Sequence, residues 1–298
     1  MSALVLGQTA PLVALAELYD RFVALGGNAF DTARWYDAEP VLGRWLDGRP
    51  DRADLVVITK GGHPADGYTR SRIDRTSIAN DLAASLEALR SGTVDLYLLH
   101  RDDESVPVGA ILEWFNGHRE AGRVRAFGAS NWTTARLTEA AAYAAAHGLE
   151  PFACSSPHLS LAVQHAPAWP GAVSAADRAS RAWYGRSQLP VVAWSSLARG
   201  YFARTPATED WSDADMERVY DAPDNRERRR RAGWVARELG RSPTQVALAW
   251  VLGQPFPTFA VMGARTSSEL EESAAACAIE LTPGQRRWLE LDDGDRTA

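Results

Sequence analysis

Lysine is almost absent from this chain. The 298 residues include 32 basic ones, and all but Lys60 are arginines. A guanidinium stays protonated and is bulky, whereas an ammonium is a compact charge whose proton affinity responds to its surroundings. A sequence that uses arginine everywhere else keeps a lysine where arginine cannot serve, unless Lys60 survives by chance as a surface charge. Cysteine is nearly as scarce. Cys154 and Cys277 lie far apart without metal-ligand or disulfide spacing, so they read as two buried or free thiols. His63, His100, His118, His147, His158 and His165 form no close pair on a helix, which argues against a hydrolase or metal enzyme. Positive charge is not in excess: the net charge of −6 leaves no global attraction to nucleic acid or anionic membranes. No run approaches the ~18 apolar residues of a membrane span. Met1 to Ala10 lacks the basic segment and long apolar core of a secretory signal. The expectation is a cytoplasmic protein with no metal, nucleic-acid or membrane partner.

What is present is alternation. Short apolar runs, read as strands, fall at Ala3–Leu6, Asn28–Phe30, Leu55–Ile58, Val94–Leu99, Val124–Gly128, Phe152–Cys154, Pro190–Trp194 and Phe259–Met262. Helical patterns lie between them. Leu15, Leu18, Phe22 and Leu25 recur on one face and stop at Gly26-Gly27. Further helices are expected at Val41–Leu46, along Ile78, Leu82, Leu86 and Leu89, and at Pro107–Arg119, Thr133–Ala146, Ala172–Trp183, Arg226–Glu238, Thr244–Leu252, Ser268–Ala275 and Gly284–Leu291. The segments Pro157–Gly171 and Gly200–Asn225 read as loops, and Arg228–Arg231 as a solvated basic face. Strands that alternate with helices predict a parallel sheet, and eight such units predict a closed barrel. A barrel of this kind needs roughly 250 residues, so 1–298 is expected to be a single domain. The fold class is thus α/β, an eight-stranded parallel β/α (TIM) barrel with C-terminal extra helices and long βα loops.

The C-terminal strand ends of such a barrel converge on one face, where active sites sit. Asp31, Lys60 and His100 end consecutive predicted strands, and Tyr36 lies one loop past Asp31. Taken singly, Asp31 is equally a helix cap, Tyr36 a half-buried aromatic and His100 a satisfied strand-end histidine. Taken together they form an acid/base device. Asp31 would hold and partly neutralise Lys60, Lys60 would stabilise the phenolate form of Tyr36, and His100 would orient a substrate oxygen. Such a phenol can protonate a carbonyl oxygen as that oxygen gains negative charge.

Six motifs, in order over nearly the whole chain, resemble the aldo-keto reductase superfamily. They are Gly27-Asn28-Ala29-Phe30-Asp31-Thr32-Ala33-Arg34-Trp35-Tyr36, Ile58-Thr59-Lys60, Asp95-Leu96-Tyr97-Leu98-Leu99-His100-Arg101, Gly128-Ala129-Ser130-Asn131-Trp132, Ala193-Trp194-Ser195-Ser196-Leu197-Ala198-Arg199-Gly200 and Val261-Met262-Gly263-Ala264-Arg265-Thr266. The resemblance implies NADP(H), in preference to NAD(H), and hydride transfer to a small-molecule carbonyl. Asp31, Tyr36, Lys60 and His100 match the catalytic tetrad, with Tyr36 as general acid. Ser130 and Asn131 match the pair that binds the nicotinamide carboxamide, and Trp194 the aromatic stacked on the nicotinamide. Ser195, Leu197, Arg199 and Gly200 match the segment over the pyrophosphate. Gly263, Arg265 and Ser267 match the loop at the 2′-phosphate, and Glu272 an adenine-side contact.

The chain departs from the family pattern in places. Ser156 stands where a nicotinamide-binding Gln is expected, Trp194 replaces Tyr, and Ser273 replaces an adenine-side Asn. The segment Leu6-Gly7-Gln8-Thr9 has little of the expected glycine-rich loop. A second reading is a catalytically weak nicotinamide-binding regulatory or sensor protein of the same fold. His158, Trp35 and Trp169 read equally as lining for the substrate pocket and as ordinary surface or core aromatics.

Overall fold

The computed structural model describes residues 4–7, 14–65, 69–203 and 214–292. Ala3 and the Gln8-Thr9 pair lie outside the described residues, as does part of the loop expected over Gly200–Asn225. Eight parallel strands close into one barrel in chain order. They are β1 (Leu4–Leu6), β2 (Ala29–Asp31), β3 (Val56–Gly61), β4 (Val94–Leu99), β5 (Val124–Ser130), β6 (Ser155–Ser156), β7 (Val191–Ala193) and β8 (Thr258–Met262). The helices are α1 (Leu15–Ala24), α2 (Glu39–Leu46), α3 (Arg75–Ala88), α4 (Val108–Glu120), α5 (Thr134–His147), α6 (Arg178–Ser187), α7 (Ala214–Tyr220), α8 (Pro223–Leu239), α9 (Pro243–Leu252), α10 (Ser267–Ala275) and α11 (Pro283–Leu289). The expected β/α barrel is the fold, and α10 and α11 follow its last strand.

The chain divides into two compact units. One holds Val5–Ser156 with Gly263–Ser267, and the other holds Pro157–Met262 with the chain up to Leu4 and from Ser268 on. In the first unit, β2 pairs with β3 and β3 with β4, in registers that set Asp31 beside Ile58 and Lys60 beside Leu98. Leu15, Leu18 and Phe22 of α1 are buried, and Phe22 meets Phe30 of β2 edge-on at 5.5 Å. Burying each such side chain stabilises the unit by about 1.5–3 kcal/mol. Helix α1 stops where Gly26 takes φ +86°, a left-handed conformation that favours glycine. Asp74 caps α3 by accepting from the Thr76 and Ser77 amides.

In the second unit β7 pairs with β8. Beside them runs α9, whose Val246–Val251 stretch is buried and whose start is a Ser242/Gln245 capping box.

Four details differ from the sequence reading. The sixth strand is the polar pair Ser155–Ser156, because these residues, one step past the apolar run, pair with Ala129 and Ser130. Helix α6 begins at Arg178, where Asp177 accepts from the Ser180 amide, so the alanines before it stay outside. The stretch 200–225 contains α7, and Pro223 opens α8 at the first-turn position where a missing N–H does no harm. Arg231 is turned inward at 8 % exposure, with Nη1 donating to the Trp288 carbonyl, while Arg228 and Arg230 pair with Asp224 and Glu227.

Candidate active site

Strand alternation aims Lys60 into the barrel and Thr59 away from it. Lys60 Nζ donates to Asp31 Oδ1 at 2.5 Å, to Asp31 Oδ2 at 2.6 Å and to the Thr32 carbonyl at 2.9 Å. These three acceptors match the three protons of an ammonium. The Lys60 charge lies beside Tyr36, with Nζ 5.4 Å from the phenol ring centroid. Burial pushes the Asp31 carboxyl up, and the charge and hydrogen bonds of Lys60 pull it back. Thr59 Oγ1 donates to Glu39 at 2.6 Å, which ties the start of α2 to β3 behind Lys60. Glu39 is fully buried, and burial raises its carboxyl.

His100 follows β4, with its backbone N–H donating to the Gly61 carbonyl at 2.8 Å. Its ring stands edge-on to Tyr36 at 5.7 Å. Burial first, then the charges of Lys60 and Arg101, hold His100 well below the ordinary histidine value, so the imidazole is neutral. Its Nδ1 is buried without a hydrogen-bond partner. Arg101 Nη1 donates to the His100 carbonyl at 2.8 Å and fixes the turn that carries it. Glu39 and Arg101 are supporting residues to which sequence reasoning gave no role. The available signals were the Glu39-Pro40 helix start and the arginine next to His100.

The ends of β5 and β6 adjoin this group. Ser130 Oγ donates to the Ser156 carbonyl at 2.9 Å. Asn131 Nδ2 donates to Ser130 Oγ at 2.9 Å and to the His100 carbonyl at 3.3 Å. Asn131 takes φ +60°, a conformation asparagine tolerates better than most residues. Ser156 Oγ is buried without a partner. The first unit thus brings Asp31, Tyr36, Lys60, His100, Ser130 and Asn131 into one cluster. Gly263, Arg265 and Ser267 belong to the same unit, at the turn after β8, with Arg265 exposed.

Trp194 and its neighbours lie in the second unit. Trp194 follows β7 and stacks on Trp169 at 4.6 Å. Ser195, Ala198, Arg199 and Gly200 all have φ between +47° and +85°. Strain of this density clusters at ligand-binding segments. Leu197 sits inside this turn, its carbonyl accepting from Gly200 N. Glu272 accepts a hydrogen bond from Ser242 Oγ, and its carbonyl accepts from Gln245 Nε2, so it braces the start of α9. Among the described residues, no group of three or more His, Cys, Asp or Glu could hold a metal ion, and no helix is long and apolar enough to cross a membrane.

His158 is fully buried beside Trp194 and lines no open surface. Ser160 Oγ donates to the Ala162 carbonyl, so it faces His158 Nε2, 3.1 Å away, as an acceptor. Ser174 Oγ lies 2.9 Å from Nδ1, and Tyr220 Oη lies 3.1 Å from Nε2. This pattern assigns the ring proton to Nε2. Burial drives His158 down to about 3. The unfolded chain takes up a proton below about 6.5 while the folded chain does not, so stability is lost as pH falls from that point. Between roughly pH 7 and pH 5 the loss from His158 is about 2 kcal/mol. Urea unfolding of the wild type and of His158→Gln checks this: the stability difference between them should shift by that amount against the wild type. Curves that fall in parallel would clear His158 of the effect.

Comparisons with known proteins identify the family and the fold. A model of the aldo/keto reductase family matches residues 8–290. A norsolorinic acid reductase of Emericella nidulans is 26 % identical over 293 residues, covering 93 % of this chain and 70 % of the relative. An aryl-alcohol dehydrogenase of Pestalotiopsis microspora is 28 % identical over 306 residues, covering 92 % and 71 %. A solved thermostable aldo-keto reductase, bound to the inhibitor epalrestat, matches with a TM-score of 0.75 at 21 % identity, over 98 % of this chain and 95 % of that one. At that identity the likeness concerns the fold alone.

Proposed function

Since the chain belongs to the aldo/keto reductase family, we propose that it is a cytoplasmic, single-domain NADP(H)-dependent reductase of aldehydes or ketones. The observation that carries this reading is the buried Lys60–Asp31 pair set beside Tyr36 and His100. Tyr36 is the general acid that gives its proton to the carbonyl oxygen. The Lys60 charge favours the phenolate left behind, and Asp31 keeps that charge in place. Neutral His100 orients the carbonyl without competing for the proton.

Bound NADPH would supply the hydride. Ser130 and Asn131 hold the carboxamide end, and the unpartnered Ser156 hydroxyl fits the same amide. That hydroxyl is a buried polar group for which a carboxamide is a natural partner. Trp194 offers a stacking ring, and Ser195, Leu197, Arg199 and Gly200 cover the pyrophosphate. Gly263, Arg265 and Ser267 meet the 2′-phosphate, and Glu272 serves the adenine side. A guanidinium suits bidentate phosphate contact, and a hydrogen bond to a charged group contributes about 1.5–3 kcal/mol.

The direct test is turnover of a panel of aldehydes, ketones and sugars with NADPH and with NADH. Purified protein that binds NADPH but consumes none with any carbonyl would be the sensor of the same fold instead. Arg265→Ala is expected to weaken NADPH about 10- to 100-fold and to leave NADH affinity unchanged. Equal losses for both cofactors, or none, would remove Arg265 from phosphate recognition.

A further inference from the structure

Trp35 is 60 % exposed, more than any other large hydrophobic side chain among the described residues. A lone exposed aromatic is ordinary on a protein surface. The surroundings of Trp35 are not. It directly precedes Tyr36, and its indole lies flat on the His63 imidazole, with centroids 4.3 Å apart and planes 9° from parallel. His63 in turn stands edge-on to His100 at 4.8 Å. The exposed indole is therefore one ring removed from the histidine that orients the carbonyl.

The platform is built before any ligand arrives. Arg34 N donates to the Lys60 carbonyl at 2.9 Å and Tyr36 N to the Ala33 carbonyl at 2.8 Å, so the backbone is fixed on both sides of Trp35. His63 is buried, and its Nδ1 lies 2.9 Å from the Pro64 carbonyl. One face of the indole is covered by His63, so its exposure belongs to the other. A rigid aromatic side chain loses little conformational entropy when a ligand covers it.

We infer that the open face of Trp35 seats a flat, uncharged or anionic aromatic ring of the carbonyl substrate, with His63 as its backing. The inference rests on the carbonyl-reductase reading of the site and narrows its substrate class to aryl carbonyls. An indole face attracts cations as well as rings. Here the charges near His63 decide between them. Arg72 Nη1 donates to the His63 carbonyl at 3.3 Å and Arg101 Nη1 to the His100 carbonyl at 2.8 Å, and burial first, then these two charges, disfavour a proton on His63, with Asp81 the smaller opposing influence. The same charges disfavour a cationic substrate group.

The test compares kcat/KM for 2-naphthaldehyde, butanal and betaine aldehyde in the wild type, Trp35→Ala, Trp35→Phe, His63→Ala and His63→Phe. The ratio of 2-naphthaldehyde to butanal should fall about 3- to 10-fold in Trp35→Ala. It should fall similarly in His63→Ala, which removes the backing, and stay near wild type in both Phe variants. A ratio unchanged by Trp35→Ala, or a larger loss for betaine aldehyde than for 2-naphthaldehyde, overturns the inference. Binding of 2-naphthoate, followed by saturation-transfer NMR with NADP+ present, separates the two readings. If no carbonyl is turned over but Trp35→Ala weakens 2-naphthoate 3- to 10-fold, the aromatic seat stands and the reductase reading falls. If 2-naphthoate binds both proteins alike, the seat falls whatever the turnover.

Discussion

Tyr36→Phe removes one oxygen atom and is expected to lower kcat for carbonyl reduction by about 100- to 10,000-fold, the usual contribution of a positioned general acid. NADPH affinity should hold, because the nicotinamide end is assigned to Ser130, Asn131 and Ser156 and not to the phenol. Stability should change by no more than about 1 kcal/mol, since a half-buried hydroxyl is lost while the ring and its contacts stay. The ring keeps its edge-on packing against His100 and its place over Lys60. Steady-state oxidation of NADPH, paired with a cofactor titration, reads both quantities. Near-normal reduction of a reactive aldehyde by the variant would mean that another group delivers the proton, and the roles drawn around Tyr36 would be wrong.

Much of this site could be read in the chain because barrel geometry turns sequence position into spatial position. Asp31, Lys60 and His100 sit at or just past the ends of three consecutive strands, so convergence follows from topology without knowledge of any side-chain rotamer. The scarcity of lysine pointed to Lys60 independently. Other features were illegible for physical reasons. Strand β6 is two serines, with no apolar run to announce it, and the apolar Phe152–Cys154 beside it drew the reading three residues early. The start of α6 is decided by the Asp177 cap, a local hydrogen bond stronger than the weak helix preference of the alanines before it.

Side-chain partnerships were hidden most deeply. The Trp35–His63 stack joins two loops, and periodicity carries no information about where loop side chains point. His158 reads from sequence equally as a pocket or a core residue, and its burial and ring of hydroxyl partners show it to be a buried neutral hub. The Lys60 ammonium was expected beside Asp31. That the carboxylate and the Thr32 carbonyl together match all its protons depends on atomic distances.

That saturation makes Lys60→Met the second large effect, because the substitution breaks two things at once. Turnover should fall about 100- to 1,000-fold as the charge that stabilises the phenolate disappears. Removing one partner of a buried ion pair also leaves Asp31 uncompensated, which costs about 3–5 kcal/mol of stability. Burial already pushes the Asp31 carboxyl up, and without Lys60 nothing comparable opposes it. Its folded-state value in the variant then lies above the unfolded one, so the folded protein binds a proton that the unfolded chain does not. Stability of the variant relative to wild type must therefore be lowest and flat above the raised value and recover as pH falls through it toward the unfolded value. The His158 contribution runs the opposite way, but it is common to both proteins and cancels in the difference. Neutralising the orphan separates the two consequences: Asp31→Asn combined with Lys60→Met should regain most of the lost stability and none of the lost turnover. Urea unfolding across pH, with activity assays on the single and double variants, reads the whole cycle. A double variant as unstable as Lys60→Met alone would show that the loss comes from packing rather than from an unpaired carboxylate.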